Sequence, residues 1–167
     1  TAYYELYSSE DGAKWTKVET NPKVVGGYGA ELIVLENKMF AAGGARLWGS
    51  DVNGTVWENS VSWKMMSTTN GVDWTDCTPG QAPSGRVFPQ ITVHNGKIVL
   101  RRGKMYGFGM WQNINHSDTY QTTDGTNWTR VAASPVTGTN RNEDAMFSYD
   151  GKLWIAGGYV NWISDAN

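Results

Sequence analysis

The sequence predicts an all-β fold built from one repeated unit of four short strands, and three observations predict it. A corner motif that places a turn ahead of a tryptophan occurs three times, as SSEDGAKWTKV, STTNGVDWTDC and TTDGTNWTRV. A second motif also occurs three times, as ELIVLENKMFAAGG, QITVHNGKIVLRRG and DAMFSYDGKLWIAGG. No stretch shows the apolar spacing of an amphipathic helix.

The two motifs recur at the same period. The tryptophans of the corner motif, Trp15, Trp74 and Trp128, are 59 and 54 residues apart. The lysines of the second motif, Lys38, Lys97 and Lys152, are 59 and 55 residues apart. Motifs that stay in step over this distance belong to one repeat, and a repeat of this length is a whole supersecondary unit.

The second motif predicts a β-hairpin. In each copy two short apolar or alternating runs flank a turn, which is Glu36-Asn37, Asn95-Gly96 or Asp150-Gly151. Asn-Gly and Asp-Gly suit a type I′ turn because both of its central residues need a positive φ. In the first copy Asn37 is expected to take this conformation, since asparagine tolerates it best among non-glycine residues.

The corner motif predicts a second hairpin, in which Asp-Gly or Asn-Gly makes the corner and the tryptophan begins the outgoing strand. Trp15, Trp74 and Trp128 are therefore expected to be structural residues, because a large ring can cover the neighbouring backbone. Two hairpins in every 54 to 59 residues are typical of the four-stranded blade of a β-propeller. A stacked β-solenoid is the rival, but its repeats are usually shorter and lack paired hairpin turns.

The repeat divides the single domain, 1–167, into a half-blade at 3–19, blades at 30–78 and 89–133, and a half-blade at 144–157. This makes three blades' worth of four-stranded antiparallel repeats. Closed propellers need at least about four blades, so one chain would leave open strand edges, which natural proteins avoid. Two interpretations follow: a homodimer joined head to tail as a six-bladed ring with two-fold symmetry, or a part of a longer propeller chain.

The repeat resembles the kelch repeat of galactose oxidase and many binding proteins. The resemblance rests on the double glycines at 43–44 and 157–158, the arginines ahead of the first strand (Arg86 and Arg141) and the late tryptophan. The corner motif is similar to the Asp-box of sialidase-type propellers, but it is one residue shorter. The second copy departs from the kelch pattern, with Arg102-Gly103 in place of Gly-Gly, and the first has Gly27 where the others have arginine. Gly44, Gly103 and Gly158 are the glycines common to all three copies.

The resemblance implies a ligand face formed by the loops between blades and by the loops between the second and third strands of each blade. Those loops are rich in aromatic residues and arginine, a combination that suits a sugar ring through stacking and charge-assisted hydrogen bonds. The predicted ligand-binding residues are Trp48, Arg86, Tyr106, Phe108, Trp111, Arg141 and Trp162. The alternative is that these residues pack on neighbouring blades, and for Arg86 and Arg141 that they brace adjacent blades.

Composition argues against several classes of function. The net charge is −2 and no basic cluster is present, so nucleic acid and anionic membranes are poor partners. No apolar run approaches the length of about 20 residues that crosses a bilayer. The single Cys77 argues against a disulfide framework and a cysteine-built metal site. We expect no cofactor and no metal, because His94 and His116 lie too far apart in the predicted fold for a copper site like that of galactose oxidase.

These observations favour a non-enzymatic binding module whose aromatic face takes a glycan or a protein. An alternative is a sialic-acid-processing enzyme, either sialidase-like or of the kelch-type epimerase class, although no nucleophile pair stands out in the sequence. A third interpretation is a structural fragment of a larger propeller protein. The family resemblance implies an exported bacterial protein that is periplasmic, on the cell surface or secreted.

Overall fold

The computed structural model describes residues 5–22, 29–46, 60–61, 64–80, 83–106, 113–132 and 141–160. These residues form short antiparallel strands, and no helix occurs among them. A helix long and apolar enough to cross a membrane is therefore also absent from this part of the chain.

The first two strands form a separate hairpin. β1 (Leu6–Ser8) and β2 (Thr16–Val18) pair with each other in an antiparallel two-stranded sheet. We call this the N-terminal hairpin. It spans the first copy of the corner motif, as the sequence predicts.

The next six strands contain the first complete repeat. They are β3 (Glu31–Leu35), β4 (Lys38–Ala42), β5 (Ala45–Arg46), β6 (Ser60–Val61), β7 (Met65–Thr68) and β8 (Thr75–Asp76). The order β3-β4-β7-β8 makes a four-stranded antiparallel sheet, here called sheet I, and β5 pairs with β6 beside it. Each four-stranded sheet thus consists of one hairpin from each of the two motifs.

The second complete repeat has the same arrangement. Its strands are β9 (Gln90–His94), β10 (Lys97–Arg101), β11 (Lys104–Tyr106), β12 (Asn113–Asn115), β13 (Thr119–Thr122) and β14 (Thr129–Ala132). The order β9-β10-β13-β14 makes sheet II, and β11 pairs with β12 in a small hairpin.

The last two strands, β15 (Arg141–Tyr149) and β16 (Lys152–Val160), form the C-terminal hairpin. Each strand has nine residues, whereas the equivalent strands of sheets I and II have five. The paired region runs from 141 to 160 and so extends beyond the 144–157 expected from the repeat. The segment 141–143, expected in a loop, is therefore part of a strand.

The sequence-based fold prediction is confirmed: the protein is all-β, with four-stranded antiparallel sheets in a propeller-like arrangement. Sheets I and II pack face to face. The buried residues of the joint are Leu35, Phe40, Ala42, Met65, Ile98 and Leu100. A second apolar cluster joins sheet I to the N-terminal hairpin, where Leu6 packs beside Ala41, Met66 and Trp74.

The corner motif forms the same turn in all three copies. A side-chain oxygen of Asp or Asn accepts hydrogen bonds from two backbone N–H groups, two and three residues further along the chain. The indole Nε1 then donates to the carbonyl oxygen of the corner glycine, at 3.1 Å for Trp15, 3.0 Å for Trp74 and 2.9 Å for Trp128. The tryptophan therefore holds the corner by a hydrogen bond to the turn as well as by its ring.

The three tryptophans of the corner motif differ in how deeply they are buried. Trp74 is 5% exposed, whereas Trp15 is 61% exposed. The same indole bond forms in both places, because it depends only on the local turn, but burial depends on whether a neighbouring sheet covers the ring.

The hairpin turns of the second motif differ in one residue from the sequence-based prediction. Asn95, Gly96, Asp150 and Gly151 have positive φ angles of 49°, 70°, 49° and 66°. In the first copy Glu36 has a positive φ of 54°, like Asn95 and Asp150 at the same position, but Asn37 is not among the residues with a positive φ. The first copy therefore departs from the predicted turn at Asn37, although asparagine tolerates the left-handed conformation best among non-glycine residues.

Gly125 generates the first testable prediction. It has a φ of +80°, and a Cβ added there would lie 2.6 Å from Cε1 of Phe40 across the joint. Gly71 is its equivalent in sheet I, with a φ of +76° and only the end of Met39 nearby, at 3.9 Å. Alanine at either position is strained by the left-handed backbone conformation, and this strain is common to both variants. We therefore expect Gly125→Ala to be less stable than Gly71→Ala by about 2 kcal/mol, because only the alanine at 125 overpacks the joint.

The measurement is the free energy of unfolding in urea for both variants. Equal losses would mean that Phe40 moves aside without cost, and would contradict a tightly packed joint.

Asp124 generates a prediction about pH. Hydrogen bonds, first that from the backbone N–H of Asn127, hold the pKa of Asp124 far below its ordinary value. A carboxyl with a lowered pKa in the folded state contributes stability above its unfolded pKa, near 4, and this stability is lost as the pH falls. Asn70 makes the same turn bonds with an amide oxygen. We therefore expect Asp124→Asn to be less stable than wild type at pH 7. The difference in free energy of unfolding between the two proteins should be smaller at pH 3.

The matched control exchanges the residues at positions 124 and 127. Asn70 donates to Asp73 in sheet I, and Asn127 donates to Asp124 in sheet II. The double variant Asp124→Asn, Asn127→Asp recreates the sheet I pairing, so it should recover stability at pH 7. A gap between Asp124→Asn and wild type that is the same at pH 3 and pH 7 in urea unfolding would contradict the prediction.

Candidate ligand-binding face

Three polar side chains join sheet II to the C-terminal hairpin. Gln90 begins β9, Arg101 ends β10, and Asp144 lies near the start of β15. Nη1 of Arg101 donates to Oε1 of Gln90 and to Oδ2 of Asp144, both at 3.0 Å, and the Gln90 amide also donates to Asp144. All three residues are buried. A buried carboxylate needs such a partner, so this group holds the two sheets in register at one end of their innermost strands.

A second buried ion pair lies beside it. Arg86, in the connection from β8 to β9, is fully buried, and its Nη1 donates to Oδ1 of Asp118 at 2.8 Å. The same nitrogen donates to the carbonyl oxygen of Arg102 at 3.1 Å, and the rest of the guanidinium donates to Ser84. Its central carbon lies 5.7 Å from the ring centre of Tyr120, a distance at which a cation and an aromatic face attract.

The lowered pKa of Asp118 follows from this pair. Burial raises the pKa of the carboxyl, but the hydrogen bond and the charge of Arg86 outweigh burial and hold the pKa below its ordinary value. Asp118 is therefore ionised at neutral pH and neutralises the buried guanidinium.

Gly103 makes room for Arg86. A Cβ at Gly103 would lie 2.9 Å from Cβ of Arg86, and Gly103 has a φ of +120°. Its equivalents Gly44 and Gly158 have φ angles of 101° and 85°. Glycine suits this position in all three copies because it adopts a positive φ without strain, and at Gly103 it also leaves space for Arg86.

His116 lies close to the Arg86–Asp118 pair, and both of these charges act on its ring. Burial lowers the pKa of its ring, and the charge of Arg86 lowers it further, against the opposing effects of Asp118 and of a hydrogen bond to the Gly85 backbone. The ring is therefore neutral at pH 7. Its Nε2 is buried and has no hydrogen-bond partner among the described residues. Since the other nitrogen donates to the Gly85 carbonyl, Nε2 is left as an acceptor.

Two small hairpins extend from this same end of the sheets. β5–β6 follows β4, and β11–β12 follows β10, so each begins where the second strand of a sheet ends. Segment 47–59 connects β5 to β6, and segment 107–112 connects β11 to β12. The sequence of both connections is aromatic, with Trp48 in the first and Phe108 and Trp111 in the second.

The described residues include three of the predicted ligand-binding residues. Arg86 is buried in the ion pair with Asp118, an arrangement that braces two connections of sheet II. Tyr106 ends β11 opposite Asn113, and Arg141 begins β15 opposite Val160. Trp48, Phe108, Trp111 and Trp162 lie outside the described residues, and the ligand-binding role of the whole set stays a prediction.

The other candidate residues occupy separate places. Nδ1 of His94 lies 2.8 Å from Oγ of Ser148, away from His116 and close to the turn of the C-terminal hairpin. Cys77 is partly buried, and burial raises the pKa of its thiol. The described part of the chain contains no group of three His, Cys, Asp or Glu residues that could hold a metal ion.

Sequence reasoning missed the roles of Gln90, Arg101 and Asp118. A signal was present in the repeat, because Arg101 aligns with Ala42 of sheet I. A long cation at a position that a small residue fills in another copy indicates a specific partner, but the partner itself, Asp144, comes from a strand 43 positions further along the chain.

The Arg86–Asp118 pair generates a prediction about stability. Asp118→Ala would leave a fully buried guanidinium without its counter-charge, which costs about 3 to 5 kcal/mol. Glu5→Ala is the matched control, because Glu5 and Lys17 are also 2.8 Å apart but both are well exposed, and exposed pairs contribute little to stability.

Urea unfolding of the two variants tests this difference. Arg86→Met combined with Asp118→Leu removes both charges and should recover much of the loss. The buried pair would not be the bracing element if Asp118→Ala cost no more than Glu5→Ala.

No protein-family model matches the chain, and no curated protein matches it. Solved structures do match it. One of them, the structure of YjhT, is 16% identical and has a TM-score of 0.63, covering 94% of this chain and 46% of the YjhT chain. The chain thus spans less than half the length of that structure. At this identity the likeness concerns the fold alone, and together with the four-stranded antiparallel sheets it shows that the chain has a propeller-like all-β fold.

Proposed function

We propose that the chain is a non-enzymatic binding module that takes a glycan on the face where β5–β6 and β11–β12 leave the sheets. The observation that carries the proposal is the neutral His116, directly after β12, whose buried Nε2 has no hydrogen-bond partner among the described residues. Sugar hydroxyls are the donors that such an acceptor needs, and they reach Nε2 when the side chains that cover it turn aside on binding. Kelch-type repeats and an exported location remain proposals of the same kind.

Aromatic residues supply the second part of a glycan site. Tyr106 ends β11, and the connection that follows it contains Phe108 and Trp111. Trp48 occupies the corresponding connection after β5. An aromatic ring buries the apolar face of a sugar, and a polar group at its edge sets the orientation.

The charged residues of this face support binding rather than catalysis. Asp118 is neutralised by Arg86, and Asp144 by Arg101. The first pair joins two connections of sheet II, and the second joins sheet II to the C-terminal hairpin. Each charge is therefore neutralised by a partner within the fold. A rigid base under two aromatic hairpins suits a site that only binds, since preorganisation reduces the entropy lost by the site on binding.

A glycan-processing enzyme is the second candidate, and Glu31 is the observation that favours it. Glu31 begins β3, at the end of sheet I from which β5–β6 extends; it is exposed, and partial desolvation raises the pKa of its carboxyl. A carboxyl with a raised pKa can act as a general acid. Turnover of a bound glycan that is lost in Glu31→Gln would favour this candidate over a binding module.

The proposal is tested with a glycan array, followed by calorimetric titration of each glycan that binds. We expect Trp48→Ala, Trp111→Ala and His116→Ala each to weaken binding by about tenfold or more, the loss of one stacking or polar contact. Binding should also weaken at acid pH, because the protonated ring of His116 no longer accepts a hydrogen bond. Trp15→Ala is the control, since Trp15 is exposed on the corner of the N-terminal hairpin.

Two results would contradict the proposal. One is a wild-type protein that binds no glycan on the array. The other is binding that stays unchanged in Trp48→Ala, Trp111→Ala and His116→Ala, which would move the site to another surface.

A further inference from the structure

Two apolar surfaces are exposed at opposite ends of the row of sheets. The aliphatic face consists of Leu32, Val34 and Met39 on sheet I, and Leu32 and Val34 are 51% and 60% exposed. The aromatic face consists of Phe147, Tyr149 and Trp154 on the C-terminal hairpin, with exposures of 45%, 69% and 46%. Side chains of this size and exposure, clustered on one surface, are typical of an interface.

The joint between sheets I and II is a template for how such faces are covered. On sheet I the joint is formed by Ile33, Leu35 and Phe40. On sheet II it is formed by Ile91, Val93 and Ile98. Leu35, Phe40 and Ile98 are 6%, 2% and 0% exposed, so the contact is dry and close.

The repeat relates the two exposed faces to the two sides of this joint. Aligning Lys38 with Lys152 makes Phe147, Tyr149 and Trp154 the equivalents of Ile33, Leu35 and Phe40. The hydrogen-bonded pairs agree, because Ile33 is opposite Phe40 and Phe147 is opposite Trp154. The aromatic face is thus the counterpart of the side of sheet I that packs on sheet II.

The same alignment identifies the aliphatic face. Aligning Lys38 with Lys97 makes Leu32, Val34 and Met39 the equivalents of Ile91, Val93 and Ile98. The aliphatic face is therefore the counterpart of the side of sheet II that is covered. One chain carries both halves of a second joint, and both are largely exposed; Met39 alone of the six side chains is half-buried, against the cluster beside the N-terminal hairpin.

We propose that the aromatic face of one copy packs on the aliphatic face of a second copy, and that two such joints close a two-fold ring. Among the described residues the two faces do not meet, because β3 packs on β9 and β9 packs on β15, which leaves the faces at the outer ends of this row. A groove of about 690 Å³, lined by Leu6, Val18, Leu32 and Val34, lies open beside the N-terminal hairpin to receive the aromatic side chains.

Strand pairing supports the same arrangement. Within sheet I the second strand pairs with the third, with Phe40 opposite Ser67. The equivalent positions in the two terminal hairpins are Trp154 in β16 and Ser8 in β1. In the described structure β1 pairs only with β2 and β16 only with β15. Pairing β16 of one copy with β1 of the other would turn four two-stranded hairpins into two four-stranded sheets.

Two copies would then contain six four-stranded sheets, since each contributes sheet I, sheet II and two half-sheets. Pairing β16 with β1 leaves neither of these strands with a free edge, which removes sites at which open edges aggregate. This inference does not depend on the glycan proposal, because the joints lie between sheets and not at the ends of the strands.

The test is the solution mass by light scattering over a wide range of protein concentration. We expect a species of twice the 18.5 kDa chain mass. Val34→Glu and Trp154→Glu each put a charge into the joint, so each should raise the concentration at which dimers form by at least about tenfold. Val131→Glu is the matched control, because Val131 is 56% exposed on β14, outside both faces.

Mixing the two variants distinguishes the head-to-tail joint from other dimers. Val34→Glu keeps its aromatic face and Trp154→Glu keeps its aliphatic face, so the mixture can form one intact joint and should dimerise better than either variant alone. Circular dichroism and the melting temperature show that each variant is folded.

Three outcomes would overturn the proposal. They are a wild-type protein that stays monomeric at all concentrations, a mixture that associates no better than the separate variants, and a loss of dimers in Val131→Glu equal to that in Val34→Glu. A monomeric wild type would mean that the faces are covered by other residues of a longer chain.

Discussion

The apolar joint between neighbouring sheets is the contact on which the rest of this structure depends. The strands of sheets I and II have two to five residues each, and hairpins of that length are marginal by themselves in water. Burying one large aliphatic or aromatic side chain contributes about 1.5 to 3 kcal/mol, so a joint that buries Phe40, Met65 and Leu100 outweighs what any single hairpin can contribute. A sheet of this kind is stable only when a neighbour covers its face.

The polar cluster at the ends of the innermost strands depends on the same joints. Asp144 reaches Arg101 because the C-terminal hairpin packs against sheet II, and Arg86 reaches Asp118 because the connection before β9 folds over the end of β10. Once buried, these charges need their partners, since an unpaired buried charge is far more costly than an exposed one. Apolar packing therefore brings the sheets together, and the ion pairs then allow few relative positions. This gives the two extending hairpins a rigid base.

Much of the fold could be predicted from the sequence, because it follows from local geometry. The three copies of the corner motif form the same turn, since its bonds span only two or three residues and form in the same way whether the tryptophan is exposed or buried. Asn95-Gly96 and Asp150-Gly151 likewise form the expected turns. Asn37 is the exception: the predicted turn needs a positive φ at both central residues, but in the first copy only Glu36 of the two has one.

The sequence by itself thus determined the strand content, the repeat and its turns, all of which depend on residues close together in the chain. Only the tertiary structure decided that Arg86 and Arg101 are buried and paired, that Nε2 of His116 has no hydrogen-bond partner among the described residues, and that Trp74 is covered while Trp15 is exposed. These properties depend on which sheets lie side by side. Burial, pKa and pairing are set by residues 11 to 54 positions away, and a local sequence pattern does not show which distant residues will be in contact.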